Sequence, residues 1–176
     1  QKNIKKNRVY LDYQASTPID KDVLQAMLPY FNEIYGNPHS HHHIKGWEAH
    51  NAIEESRRSV ADLINADPNE IIFTSGATEA NNMAILGLAN KITNKRKEIL
   101  VSSIEHKCVL NASRSLIEKG FIVNELPVNH SGLVDLNAYK EKLNENVLLV
   151  SVMMANNEIG TLQPIDKITK MAHDSG

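Results

Sequence analysis

Short apolar runs alternate with helical patterns along this chain, and the alternation constrains its fold more than any other feature. Consecutive apolar residues bounded by turn residues indicate strands, whereas apolar residues that recur every three or four positions indicate helices. Repeated units of a strand followed by a helix predict an α/β fold with a mostly parallel sheet flanked by helices on both faces. The predicted strands are 70–74, 98–102, 121–126 and 147–153, and the predicted helices are one capped by Asp20, one from about 48, one up to about 90, and those at 109–119, 136–143 and 165–173.

Composition describes an ordinary globular chain and argues against several classes of partner. Of the 176 residues, 41% are hydrophobic and 23% are charged, and the formal net charge is −2. This balance gives no electrostatic reason to expect nucleic acid or an anionic membrane as a partner. No apolar run approaches the roughly 20 residues that span a bilayer. The single cysteine, Cys108, excludes an internal disulfide and fits a reducing compartment.

One polar stretch, residues 74–78 with the sequence Thr-Ser-Gly-Ala-Thr, joins a predicted strand to the helix that follows it. The first amides of a helix have no partner inside the helix and carry partial positive charge, so they attract phosphate or carboxylate. Gly76 lets the backbone approach an anion closely, and the hydroxyls of Ser75 and Thr78 add donors. The alternative is a plain turn in which a serine or threonine caps the helix, and this stretch alone leaves both interpretations open.

Two further polar clusters, residues 102–108 and 156–160, also follow predicted strands. Ligands of parallel sheets lie beyond the carboxyl ends of the strands, so we expect the three clusters to converge, which favours the anion site. His106 would stack on a planar ring, shuttle a proton or merely cap the next helix. Of Asn156 and Asn157, one amide would donate to a cofactor oxygen while the other groups hold the turn, unless both serve simple turn chemistry.

Rival sites are visible in the same sequence. Lys107 suggests a lysine that bonds covalently to a carbonyl group, and Cys108 suggests a nucleophile or metal ligand beside a histidine. Adjacent residues at a helix start point in different directions, which argues against both. A histidine run suggests zinc, copper or nickel, but no cysteine or carboxylate stands nearby at familiar ligand spacing, so no metal ligand is predicted. The run consists of His39, His41, His42 and His43.

The order and spacing of these motifs resemble those of the cysteine desulfurases, pyridoxal-phosphate enzymes of the class V aminotransferase family that supply sulfur for iron–sulfur clusters. The resemblance extends from about Arg8 to the last residue, and segment 105–110 is most similar to the housekeeping, cluster-assembly group. The matching motifs are Tyr10-Leu11-Asp12, Ala15-Ser16-Thr17-Pro18, Gly36-Asn37-Pro38, Ile72-Phe73-Thr74-Ser75-Gly76-Ala77-Thr78-Glu79, Glu105-His106-Lys107 and Asn156-Asn157-Glu158-Ile159-Gly160.

The resemblance implies the large domain of the fold type I pyridoxal-phosphate-dependent transferases, here truncated, with roles for four residues. Ala77 and Thr78 match positions that hold the cofactor phosphate. His106 matches the histidine that stacks on the pyridine ring and is proposed as an acid–base group. Asn157 matches the residue that donates a hydrogen bond to the phenolic oxygen of the ring. His43 matches a histidine usual in the family, and the rest of the histidine run is then local variation in a loop.

The main departure from the family concerns residues that would lie beyond position 176. These are the lysine that anchors the cofactor, the cysteine that forms a persulfide, and the C-terminal domain. We therefore expect residues 1–19 to form an N-terminal segment and residues 20–176 a partial cofactor-binding domain that is inactive alone. A helix at 165–173 without a returning strand is expected to leave apolar surface exposed.

The activity that the resemblance implies is removal of sulfur from L-cysteine, which leaves alanine and an enzyme persulfide. Implied partners are L-cysteine, a second copy of the chain in a homodimer, and iron–sulfur scaffold or sulfur-acceptor proteins. The implied location is the cytoplasm of a bacterium or the mitochondrial matrix. The alternatives are a degenerate or binding-only remnant and a histidine-rich metal-binding module.

Overall fold

The structure, a computed structural model, describes residues 9–91 and 96–176. The chain divides into two compact units, Gln1–Phe73 and Thr74–Gly176. The division at 19/20 that the sequence suggests stays a prediction, and residues 1–8 of that segment lie outside the described part of the chain.

Helices form the regular structure described in the first unit. They are α1 (Lys21–Met27), α2 (Pro29–Asn32) and α3 (Ile44–Ile64). The carboxylate of Asp20 accepts hydrogen bonds from the amides of Asp22 and Val23, at 2.9 and 3.4 Å, which confirms the predicted cap. Helix α3 begins earlier than the predicted start near 48, because the side chain of His43 caps its first turn.

The predicted strand at 70–74 is wrong. Residues Pro68–Glu70 form a 3₁₀ turn and Ile71 is extended, but residues 71–74 pair with no strand in the described chain. The guanidinium group of Arg57 donates to the carbonyl of Ile71 and lies 5.0 Å from the ring centre of Phe73. An apolar run becomes a strand only where a neighbouring strand accepts its backbone hydrogen bonds, and here a side chain takes that place.

A parallel sheet organises the second unit. Its strands are β1 (Glu98–Ser102), β2 (Ile122–Leu126) and β3 (Val147–Ser151), in the order β2-β1-β3. Both pairings of β1 are parallel, and Val101 lies opposite Glu125 on one side and Ser151 on the other. The remaining three predicted strands are therefore confirmed, with ends within two residues of their predicted positions.

Helices cover both faces of the sheet, as predicted. Successive residues of β1 point to opposite faces, so Ile99 packs in one core and Leu100 in the other, and both are fully buried. The helices of the first face are α4 (Ala77–Lys91) and α5 (Lys107–Ser115), and those of the second are α6 (Leu136–Lys142) and α7 (Ile165–Asp174). Each fully buried aliphatic side chain contributes about 1.5–3 kcal/mol to the free energy of unfolding. This burial holds β1 in place and thereby positions the loops at its ends.

Two local features agree with the sequence predictions. The 3₁₀ turn Leu116–Lys119 follows α5 and ends at Gly120, which has the predicted left-handed conformation with φ of 79°. An apolar groove of about 360 Å³ lies between β3 and α7. Among the described residues, no strand pairs with β3 on the side away from β1. Apolar surface is therefore exposed where the sequence predicts it.

None of the helices in the described ranges is long and apolar enough to cross a membrane.

Candidate functional site

The turn before α4 is exposed and is held by a carboxylate from inside that helix. The Oε2 atom of Glu79 accepts hydrogen bonds from the amide and the hydroxyl of Ser75, each at 2.6 Å. These bonds, the hydroxyl bond first, lower the pKa of Glu79. The hydroxyl of Thr74 donates to the carbonyl of Gly76 at 3.2 Å. The Ser75 hydroxyl is thus a donor to Glu79, which differs from the plain cap considered as the alternative.

The amides of Ala77 and Thr78 lie in the first turn of α4, where no carbonyl of the helix reaches them. Within the described ranges, no residue accepts a hydrogen bond from either amide. A Cβ atom added at Gly76 would meet nothing within 4 Å, so the space beside the turn is open. Unpartnered amides, the positive end of a 15-residue helix and the Thr78 hydroxyl form a donor set that fits a phosphate group.

His106 caps α5 and also meets the cysteine of the same turn. Its Nδ1 atom accepts a hydrogen bond from the amide of Cys108 at 3.2 Å and lies 3.0 Å from the Cys108 sulfur. Because Nδ1 accepts from an amide, the neutral ring carries its proton on Nε2. The side-chain amide of Asn81, on α4, donates to the same sulfur at 3.1 Å, so Cys108 links the two helices. The capping role through Nδ1 is therefore compatible with a further contact at Nε2, and His106 as a residue is exposed.

A buried carboxylate joins the loop after β1 to the segment after β3. Glu105 is 8% exposed, and its Oε1 atom accepts hydrogen bonds from the amide of Met153 and, at 3.2 Å, from the hydroxyl of Ser102. Burial raises the pKa of Glu105, although both hydrogen bonds oppose that rise. The carboxylate therefore connects two chain segments 48 residues apart.

A buried amide makes the connection in the opposite direction. Asn156 is 8% exposed, and its Nδ2 atom donates to the carbonyl of Ile104 at 3.0 Å. Its Oδ1 atom accepts from the amides of Glu158 and Ile159 at 2.9 and 3.0 Å. One of the two neighbouring asparagines thus holds the turn, as the sequence predicts for the cluster at 156–160.

A cavity of about 520 Å³ lies between these two loops, within the usual size range of small-molecule sites. His106 and Asn157 both line it, so the structure brings together two of the four predicted site residues. Ala77 and Thr78 are not among its lining residues, and they lie one helical turn before Asn81, whose side chain reaches α5. The cavity is lined by Ile104, Glu105, His106, Lys107, Leu110, Asn156, Asn157, Glu158 and Ile159.

Sequence reasoning missed the roles of Glu79 and Glu105. Glu79 has a local signal, an acidic residue in the first turn of a helix that follows a serine–glycine turn. Glu105 has no comparable signal, because its partner Met153 is distant in the chain.

The histidine run has structural contacts, and the metal-binding alternative gains no support from it. The Nδ1 atom of His43 accepts from the amide of Gly46 at 3.1 Å, and the carbonyl of His41 accepts from the indole of Trp47 at 2.9 Å. A Cβ atom at Gly46 would lie 1.9 Å from the carbonyl oxygen of Ser40, so only glycine fits there. In the described ranges, no three histidine, cysteine or acidic side chains are placed to hold one metal ion.

Comparison with known sequences gives a consistent result. A family model described as aminotransferase class-V matches residues 9–176. The cysteine desulfurase IscS of Rickettsia massiliae (strain Mtu5) is 52% identical over 168 residues, which are 96% of this chain and 41% of the relative. The IscS of Rickettsia prowazekii (strain Madrid E) is 51% identical over 166 residues, covering 94% of this chain and 40% of the relative. This chain therefore spans about two fifths of the length of the curated relatives that it matches.

Solved structures confirm the predicted fold class. A NifS-like protein matches with a TM-score of 0.91 and 39% identity, over 96% of this chain and 46% of that chain. A structure described as SspA in complex with cysteine matches with a TM-score of 0.86 and 44% identity, over 94% and 47% of the respective chains. The match of the class V model to nearly the whole sequence, together with these relatives, shows that the chain belongs to the aminotransferase class-V family and is similar to its cysteine desulfurases.

Proposed function

We propose that this chain provides part of the pyridoxal-phosphate site of a cysteine desulfurase. In this proposal Ala77 and Thr78 bind the phosphate, His106 stacks on the ring and Asn157 donates to its phenolic oxygen. The observation that carries the proposal is that His106 and Asn157, from loops far apart in sequence, line one cavity at the carboxyl ends of β1 and β3.

The donor chemistry of the chain suits each part of the cofactor. The amides at the start of α4 have no described acceptor and lie at the positive end of the helix dipole, as phosphate binding requires. His106 offers a flat imidazole held by its Nδ1 contacts, so ring orientation is fixed before a ligand arrives. Asn157 carries an amide N–H, which suits an oxygen with negative charge.

The chemistry would divide between the cofactor and the protein. When bound, pyridoxal phosphate supplies the electron sink for reactions of an amino acid. His106 would hold or move a proton at Nε2, because Nδ1 is engaged by the amide of Cys108. The Cys108 sulfur contacts both the Asn81 amide and the His106 ring, so we assign it a structural role and not that of the sulfur acceptor.

The proposal extends to the substrate and partners of the whole family member. L-cysteine is the proposed substrate, since the relatives are named cysteine desulfurases and one similar structure is described as a complex with cysteine. A homodimer, and iron–sulfur scaffold or sulfur-acceptor proteins as partners, remain part of the same proposal. So does a location in the bacterial cytoplasm or the mitochondrial matrix.

The test of cofactor binding uses ligands that cannot react with lysine. Purified chain is titrated by calorimetry with pyridoxine 5′-phosphate and with pyridoxine, which differs only in lacking the phosphate. Tighter binding of the phosphorylated ligand is expected. Gly76→Ala would place a methyl group beside the proposed phosphate and weaken that binding about tenfold, whereas Gly87→Ala, also in open space but in the middle of α4, would not.

Equal binding of the two ligands, or equal effects of the two glycine variants, would contradict the phosphate assignment. Turnover is tested separately by adding pyridoxal phosphate and L-cysteine and measuring alanine and sulfide. Residues 1–176 contain one cysteine, and it is held by Asn81 and His106, so binding without alanine release is expected of them. Alanine above the cofactor-only background would show that these residues suffice for catalysis.

A further inference from the structure

The two residues assigned to the cofactor ring stand on two loops, and each is preceded by a buried polar residue. The β1 loop (residues 103–106) ends with Glu105 and His106, and the β3 loop (residues 152–160) contains Asn156 and Asn157. Glu105 and Asn156 are each 8% exposed. The exposed ring residue of the β1 loop is thus one peptide bond from a buried anchor, and Asn157 stands in the same relation to Asn156.

Each buried residue reaches across to the other loop. The Glu105 carboxylate accepts from the amide of Met153 in the β3 loop, while the Asn156 side chain donates to the carbonyl of Ile104 in the β1 loop, at 3.0 Å. The two bonds run in opposite directions between the same pair of loops. Displacement of either loop would therefore break both.

We propose that Glu105 and Asn156 form a reciprocal latch of positioning residues that sets the separation of His106 and Asn157. The inference rests on the proposed function, because the separation matters for a ligand that contacts both residues. It adds two residues that do not touch the ligand but act through those that do.

The loops are stiff enough for the latch to control geometry. In the β1 loop, the amide of Glu105 donates to the carbonyl of Ser102 at 3.2 Å, so the carboxylate and the backbone of His106 move together. In the β3 loop, the backbone amide of Asn156 donates to the carbonyl of Thr161, and its carbonyl accepts from the amide of Gly160, each at 2.9 Å. Because these bonds hold the backbone at each buried residue, a shift of Glu105 moves His106 and a shift of Asn156 moves Asn157.

Gln163 provides a matched control, because it is a buried amide with two bonds of the same kind outside the cavity. It is 6% exposed, accepts from the amide of Val134 at 3.0 Å and donates to the carbonyl of Gly132 at 2.6 Å. Gln163→Ala removes two buried side-chain bonds to the backbone, where Asn156→Ala removes three, and it leaves both latch bonds in place. A merely structural role for Asn156 would give the two variants the same ligand affinity.

The first measurement is amide hydrogen exchange by NMR on the chain without ligand. Glu105→Ala should speed exchange of the Glu158 and Ile159 amides about fivefold, although their acceptor, Asn156, is intact. Asn156→Ala should likewise speed exchange at Met153, whose acceptor is Glu105. Gln163→Ala should change neither. If each variant affects only the amides that it directly bonds, the latch is overturned.

The second measurement is the Kd of pyridoxine 5′-phosphate. Glu105→Ala and Asn156→Ala should each raise it about tenfold relative to Gln163→Ala. Glu105→Gln keeps an oxygen acceptor for Met153 and should restore the Kd to within about twofold. If the latch variants bind as well as the control, the inference is wrong. If the unaltered chain does not bind, the proposed function is wrong, and the exchange data still decide whether the two loops are coupled.

Discussion

Two carboxylates of this chain, Glu79 at the start of α4 and Glu105 in the β1 loop, accept hydrogen bonds from the same two kinds of donor, but their pKa values shift in opposite directions. Each accepts a hydrogen bond from one backbone amide and one serine hydroxyl. The pKa of Glu79 is lowered by its two bonds, whereas burial raises the pKa of Glu105 despite its bonds. Because the donors are of the same kinds, the difference in burial decides whether the pKa is raised or lowered.

The two carboxylates also differ in whether their donors are near or distant in the sequence. Both donors of Glu79 belong to Ser75, four residues away, so the turn before α4 needs only its own sequence. Glu105 accepts from the amide of Met153, 48 residues away. This hydrogen bond can form only when β1 and β3, the strands that precede the two residues, are paired. The proposed phosphate contact thus stands on a turn that forms locally, and the proposed ring contacts stand on loops that the sheet assembles.

The largest expected difference between the two carboxylates is in stability. Glu105→Ala leaves the partly buried Met153 amide without its acceptor and the Ser102 hydroxyl without its partner, and should lower the free energy of unfolding by about 1–3 kcal/mol. Glu79→Ala removes an exposed group whose donors turn to water and should have a clearly smaller effect. Urea unfolding followed by circular dichroism measures both. Equal losses would show that burial is not what distinguishes the two sites.

A second difference is the sign of the pH dependence. Because the folded pKa of Glu105 lies above its ordinary value of 4.5, its contribution to stability is complete below pH 4.5 and is lost as pH rises through the folded pKa. Because the folded pKa of Glu79 is lowered, its contribution is complete above pH 4.5 and is lost as pH falls through the folded pKa.

Thermal unfolding between pH 3 and pH 7 tests this prediction with two isosteric variants. Relative to the unaltered chain, Glu105→Gln should gain stability as pH rises above 4.5, and Glu79→Gln should gain stability as pH falls below that value. Parallel profiles for the two variants would contradict the assigned directions.

The smallest expected effects come from the two serine donors. Ser75→Ala should raise the pKa of Glu79 towards its ordinary value, and Ser102→Ala should raise the pKa of Glu105 further from it. Ser75→Ala should change stability by no more than about 0.5 kcal/mol, as expected of an exposed position. Carboxyl ¹³C titration measures each pKa. A fall in the pKa of either glutamate in its serine variant would contradict the prediction.

The parts of the fold that the sequence predicts are those set by local pattern. The runs at β1 and β3 are strongly apolar, which predicts strands of a sheet, and Gly120 marks the end of a helical segment by its own conformational preference. The strand predicted at 70–74 failed because pairing depends on a partner that local sequence does not specify.

The candidate site divides in the same way. That His106 and Asn157 would lie near each other was predictable, because each follows a strand end and parallel strands bring such positions to one side of the sheet. The choice of Asn157 over Asn156 came from the family resemblance, and the roles of His106 and Asn157 stay predictions. The role of Glu105 was not predictable, because no residue near it in the sequence indicates that its partner would be Met153, 48 positions later. The roles of Ala77 and Thr78 remain predictions that ligand binding will decide.

The apolar groove beside β3 has a consequence for how the polypeptide behaves in solution. The backbone amides and carbonyls on that side of β3 have no described strand to meet, and the neighbouring groove offers apolar side chains of β3 and α7. Such a border is a template for intermolecular β-pairing and aggregation. Residues 1–176 in isolation should therefore show light scattering that increases with concentration.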